Sequence, residues 1–138
     1  MKKSLLITLL LLSCVPAYAE WMPVYEIRQL ATTIFVDPQT ILKEGDRVKI
    51  SVLYDSKTAQ FGRGGPLLST QARSEFDCSQ VRSRVLALTD FSGNEGSGKI
   101  VYSNSAEQKW EPVVPGSVSQ TLWRVACGND KIDQLPQF

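Results

Sequence analysis

Residues 115–128, PGSVSQTLWRVACG, carry both ends of an α-helix inside a chain whose other segments read as strands. Ser117 followed by Gln120 forms a capping box, in which two side chains satisfy orphan backbone donors of the first turn. Pro115 and Gly116 break the chain before it, and Gly128 stops it by accepting positive φ. At about 100° per residue, Val118, Leu122, Val125 and Ala126 share one face, with Gln120 and Arg124 opposite. Cys127 falls off the centre of that stripe. A bond from Cys127 to a neighbouring layer therefore requires Trp123 to be covered too, or the last turn to distort.

The remainder alternates with a period of two, as half-buried strands do. Met22 to Ile27 and Thr32 to Asp37 read as the first two strands, the second ended by Asp37-Pro38. After a turn at Lys43 to Asp46, the run Arg47 to Asp55 sends Val48, Ile50, Val52 and Tyr54 to one side and Lys49, Ser51 and Asp55 to the other. Ser56 to Pro66 reads as a polar, glycine-rich loop. Leu68 to Cys78 puts Ala72, Ser74, Phe76 and Cys78 on one face. Val81 to Phe91 is apolar on both faces at Val85–Leu88, the pattern of a central strand whose second face is covered by a loop or another subunit. Ser92 to Gly98 is a turn and Lys99 to Ser103 a sixth strand. Six strands with short connections and one late helix make an antiparallel α+β domain.

The first residues, MKKSLLITLLLLSCVPAYAE, have the three parts of a secretory signal peptide: two lysines, the apolar run Leu5 to Leu12, and Ala17-Tyr18-Ala19 before a cut. The run is shorter than the ~20 residues that span a bilayer. Cleavage between Ala19 and Glu20 divides the chain into a leader, 1–19, and an exported domain, 20–138. The rival reading is a lipobox at Leu11-Leu12-Ser13-Cys14, in which a lipidated Cys14 anchors the domain to a membrane. Either way Cys14 leaves the folding problem, and Cys78 and Cys127 enter an oxidising compartment with one available pairing. That bridge closes a loop of about 50 residues, worth roughly 4 kcal/mol in the chain-entropy model. Two free thiols or an intermolecular bond are the other readings.

Composition excludes several function classes. The 138 residues hold 15 basic and 14 acidic side chains and no histidine. Loss of Lys2 and Lys3 with the leader leaves 13 basic against 14 acidic, which does not suit a nucleic-acid binder. Without histidine, Ser-His and Cys-His nucleophile pairs cannot form, and no tetrahedral zinc set is available. No cofactor is expected. Glu75 and Asp77 share a strand face, with Asp55 a candidate to lie across from them; such carboxylates can hydrolyse glycosides, although a solvated acidic face is the commoner meaning. Gly62 to Gly65 and Gly93 to Gly98 lack the Gly-Lys-Ser/Thr ending of a phosphate loop and read as connections. Arg82 and Arg84 share a face, with Arg73 a candidate neighbour, and form a candidate basic binding patch for an acidic partner. Of Trp21, Trp110 and Trp123, at least two are expected in the core, leaving one as a candidate binding anchor.

Three segments resemble the surface-adhesin protein E-like family of exported bacterial proteins: Ile34 to Ile41; Leu68-Ser69 with Phe76-Asp77-Cys78; and Trp110 to Val113 with Pro115-Gly116-Ser117 and Cys127. In order, they cover nearly all of the exported domain. The resemblance implies a sheet of about six strands whose concave face holds the C-terminal helix through a disulfide. It also implies a homodimer and, in the namesake, a surface lipoprotein that binds host matrix and plasma proteins. The expectation is a non-enzymatic, adhesin-like binding protein of the periplasm or cell surface. The alternatives are a periplasmic accessory protein that binds an envelope partner and, last, a carboxylate-based hydrolase.

Overall fold

A computed structural model describes residues 19–128. The leader's lysines, the Leu5–Leu12 run and Cys14 lie outside the described residues. Seven strands form one antiparallel sheet: β1 (Met22–Ile27), β2 (Thr32–Glu44), β3 (Arg47–Gly62), β4 (Gly65–Asp77), β5 (Arg82–Phe91), β6 (Ile100–Asn104) and β7 (Glu111–Pro112). The first six follow one another across the sheet in chain order, and β7 pairs with β5 beyond the end of β6. One helix, α1 (Val118–Cys127), completes the curled α+β domain.

Alternation decides the two faces. Val24, Ile34, Val36, Val48, Ile50, Val52 and Phe76 form a buried cluster that includes Leu122, Val125 and Ala126 of the helix. Removing such side chains from water stabilises the fold by roughly 1.5–3 kcal/mol each. The helix keeps its sequence-encoded ends. Ser117 Oγ accepts the Gln120 N–H at 3.2 Å, and Gly128, at φ 78°, returns its N–H to the Arg124 carbonyl. Gln120 Oε1 accepts from Gly116 rather than Ser117, so the capping box is displaced by one residue.

The buried arc of α1 is wide, which resolves the position of Cys127. Trp123 packs against the core, and its indole Nε1 donates to the Asp77 carbonyl at 3.0 Å. Cys127 is bonded to Cys78, the next residue, with Cα atoms 5.7 Å apart. The disulfide and the indole thus fasten one turn of helix to the end of β4. Trp123 is the one tryptophan packed against the core cluster. The expectation of two is corrected, because Trp21 and Trp110 lie beyond it.

Two strands run further than alternation suggests. β2 does not stop at Asp37-Pro38. Its pairing with β3 jumps from Asp37 opposite Ser51 to Leu42 opposite Lys49, so β2 carries three extra residues. Side chains repair the ladder where Pro38 has no N–H: Asp37 Oδ1 accepts from Gln39 N, and Thr40 Oγ1 donates to the Asp37 carbonyl while accepting from Ser51 N. The polar stretch 56–66 is likewise the end of the β3–β4 hairpin, past a second bulge between Asp55 and Gln60. Exposure on both sides removed the hydrophobic period that would have marked it. Gly64 closes this hairpin against β6: a Cβ there would lie 1.9 Å from the Val101 carbonyl oxygen.

β5 is a central strand, as its composition predicts. Its free edge is occupied by β6, by the Gln108 N–H on the Val85 carbonyl, and by β7. Its residues from Arg82 to Thr89 are nonetheless half-buried. Loop 92–98 folds back over one end of the face opposite the helix. There Ser69 Oγ donates to the Gly93 carbonyl and accepts from Gly96 N, and Asp55 Oδ1 accepts from Glu95 N.

Candidate functional site

The face opposite the helix gathers most of the residues with chemical potential. β3, β4 and β5 align Arg47, Asp77 and Arg82 in one cross-strand row, and Lys49, Glu75 and Arg84 in the next. Arg84 bonds Glu75 Oε1 through Nε at 2.8 Å and Nη2 at 2.7 Å, and reaches Glu107 through Nη1 at 3.2 Å. Arg82 bonds Asp77 Oδ2 through Nε and Nη2, both at 3.1 Å. Opposite charges directly across strands are the sheet's counterpart of helical ion pairs.

Trp110 lies on these arginines. The guanidinium carbons of Arg82 and Arg84 are each 4.5 Å from its ring centroid, and that of Arg47 is 5.2 Å away. Such contacts contribute about 0.5–1 kcal/mol each at exposed sites and more where water is excluded. Arg82 and Arg84 therefore meet, as their shared strand face requires, but around an indole and three carboxylates. Arg73 stands apart. Its Nη1 donates to the Thr40 carbonyl at 2.8 Å and to Ser51 Oγ at 3.3 Å. Sequence reading gave no reason to join Trp110 to the arginines. Its position seven residues before the Ser117 cap, opposite β5, is set by β7 pairing with Arg82 and Ser83.

The carboxylates have structural partners. Asp77 Oδ1 accepts the backbone N–H groups of Ser79 and Gln80 and the Ser79 hydroxyl. The Gln80 hydrogen bond, with those of Ser79 and Arg82, holds the Asp77 pKa below its ordinary value against the opposing effect of burial. A carboxylate kept ionised in this way is poorly suited to donate a proton as a general acid. Asp55 pairs with Ser69, six residues along β4 from Glu75, or about 20 Å at strand rise. It does not join Glu75 and Asp77.

The glycine-rich segment Gly93 to Gly98 is committed to contacts with the sheet, whereas Gly62 to Gly65 is the exposed turn of the β3–β4 hairpin. Gly96 packs on the Gln71 side chain, and the N–H groups of Glu95 and Gly96 are committed to Asp55 and Ser69. Among the described residues, no group of three or more Cys, Asp or Glu side chains is placed to hold a metal ion. None of their helices is long and apolar enough to cross a membrane. On the helix side, a cleft of about 240 Å³ lies between α1 and β5, bordered by Ser83 and Ser119, whose hydroxyls are 3.0 Å apart. Tyr54 lines it, and burial raises its pKa. At the far end of the β3–β4 hairpin, Phe61 is 83% exposed beside the exposed Arg63.

Solved structures of Haemophilus influenzae protein E share this fold. Crystal form II of Haemophilus influenzae protein E superposes with a TM-score of 0.61 at 8% identity, covering 82% of this chain and 91% of that one. A second structure of Haemophilus influenzae protein E gives 0.60 at 8% identity, covering 82% and 87%. Protein E from non-typeable Haemophilus influenzae gives 0.54 at 10% identity, covering 83% and 80%. No curated protein sequence matches the chain. The sequence profile of the surface-adhesin protein E family matches residues 21–128, from the residue before β1 to the helix-stopping glycine. This chain belongs to the surface-adhesin protein E family.

Proposed function

We propose that this protein is an exported, non-enzymatic binding module, processed between Ala19 and Glu20, that contacts other proteins at the cell surface. Host matrix or plasma proteins are the proposed partner class. The observation carrying this reading is the contrast in exposure between the β3–β4 hairpin tip and the sheet face away from the helix. Its carboxylates and paired arginines are engaged internally, whereas the β3–β4 hairpin projects Phe61 into solvent beside Arg63. An exposed aromatic beside a cation is the composition of an interface anchor. Family membership supports the same class of role. A homodimer is part of the proposal, and native molecular mass in solution tests it.

The test is binding of the mature chain to immobilised matrix and plasma proteins, with Phe61→Ala beside wild type. Saturable binding that weakens at least about tenfold in the variant supports the hairpin as anchor. Binding indifferent to Phe61 removes it. The Ala-Tyr-Ala motif favours a second reading, a soluble periplasmic accessory protein with an envelope partner. Fractionation separates the two: protein confined to the soluble periplasm eliminates the surface reading. N-terminal mass analysis of native protein distinguishes Glu20 from a lipidated Cys14.

A further inference from the structure

Arg73 has an environment unlike that of Arg82 or Arg84. Asp37, Ser51, Arg73 and Ala87 form one cross-strand row on the face away from the helix. The β2 bulge brings Thr40 to the same place, and Trp21, just before β1, supplies a wall. These residues, with Gln71 and Thr89, line a groove of about 360 Å³. That volume falls within the range of small-ligand sites, which combine an apolar wall with a few convergent polar groups.

The guanidinium there lacks a counterion. Both hydrogen-bond partners of Arg73 are neutral, and both use Nη1. Among the described residues it makes no ion pair, and its Nε and Nη2 donors make no hydrogen bond. Burial lowers its pKa, as expected of a cation partly removed from water without an anion to offset the loss. Three free donors in a fixed planar fork match a carboxylate. Asp37 limits which anion fits. It is 4% exposed, lines the same groove, and accepts one N–H, from Gln39, on Oδ1. A carboxylate lining the same groove disfavours dianions such as phosphate. A monoanion carrying an adjacent N–H donor is favoured instead.

We propose that this groove binds an α-carboxylate with a neighbouring N–H, as found in a free amino acid or the last residue of a peptide. Arg73 takes the carboxylate through Nε and Nη2, Asp37 accepts the N–H, and the ligand's side chain lies along Trp21. This site goes beyond the protein-binding role proposed above and does not depend on it, since it lies on the sheet face rather than at the hairpin tip. Cleavage after Ala19, which borders the groove, would leave the site open at that end.

The test is a titration of the mature, exported chain followed by NMR at the Arg73 Nε–H and the Trp21 indole N–H. The probes are N-acetylglycylalanine, its C-terminal amide, free alanine and inorganic phosphate. The dipeptide acid or free alanine is expected to give saturable shifts, and whichever binds more tightly identifies the source of the carboxylate. Amidation of the dipeptide, or Arg73→Lys, is expected to weaken binding at least about tenfold through loss of charge-assisted, forked hydrogen bonding. Trp21→Ala leaves the Arg73 bonds in place and is expected to cost about fivefold. Equal shifts from acid and amide, phosphate binding as tight as the acid, no saturable binding by any probe, or wild-type affinity in Trp21→Ala would each overturn the assignment.

Discussion

The two faces of the central strands are held by different physics. Toward the helix, Val48, Ile50, Val52 and Phe76 are almost wholly buried and meet Leu122, Val125 and Ala126. On the other side of the same strands, Glu75, Asp77, Arg82 and Arg84 make a layer of ion pairs roofed by Trp110. The first face derives its stability from area removed from water, which is non-directional and is not weakened by charge screening. The second depends on geometry and charge: Glu75 and Asp77 are themselves buried, so each needs its arginine to remain there as a carboxylate. Fold and rigidity should therefore follow the helix side, while on the far side the Trp110 roof should tolerate change better than the buried carboxylates and their arginines.

The largest expected effect lies in the helix-side core. Phe76, 1% exposed, is predicted to cost about 3–5 kcal/mol on replacement by alanine, read as a lower urea midpoint. A loss below about 1 kcal/mol would show that the helix side is not the stronger layer. Next, the double change Cys78→Ser with Cys127→Ser is predicted to cost about 2–4 kcal/mol, matched by reduction of wild type. Hydrogen exchange should then be fastest in α1 and at the end of β4. Exchange raised equally across β1 and β2 would contradict a local fastening of the helix.

On the opposite face, Trp110→Ala is expected to cost about 1–2 kcal/mol and to speed exchange in residues 105–112 without altering α1. The smallest and most specific effect is one of pH. The folded-state pKa of Asp77 is lowered, so its contribution is complete above the unfolded value, about 4, and is lost as pH falls through the lower folded value. Asp77→Asn should flatten that acid limb of the melting-temperature profile. An acid limb as steep as that of wild type would remove Asp77 from the account.

Much of this arrangement was legible from local pattern. The ends of α1 were encoded by Ser117 and Gly128, and the face of β3 by alternation from Val48 to Val52. The run through Pro38 was not legible, because Thr40, two residues further on, replaces the missing backbone donor with a side chain. The strand ends at 56–66 were hidden because a hairpin exposed on both sides has no hydrophobic period. Among the candidate site residues, Arg82 and Arg84 were placed on one face by their spacing. Their partners were not, since Trp110 and Glu107 approach from more than twenty positions later in the chain.

The class of fold, the available cysteine pairing and the strand residues that share a side follow from residue order alone, because period, capping and cysteine number are local or countable properties. Folding in three dimensions was needed to neutralise Arg82 and Arg84 around an indole while leaving Arg73, nine residues from Arg82, without an ion pair in a groove. That difference arises from strand register and from two bulges, which set neighbours across the sheet. Electrostatic strength depends on those neighbours and on exposure to water, neither of which is written in residue order.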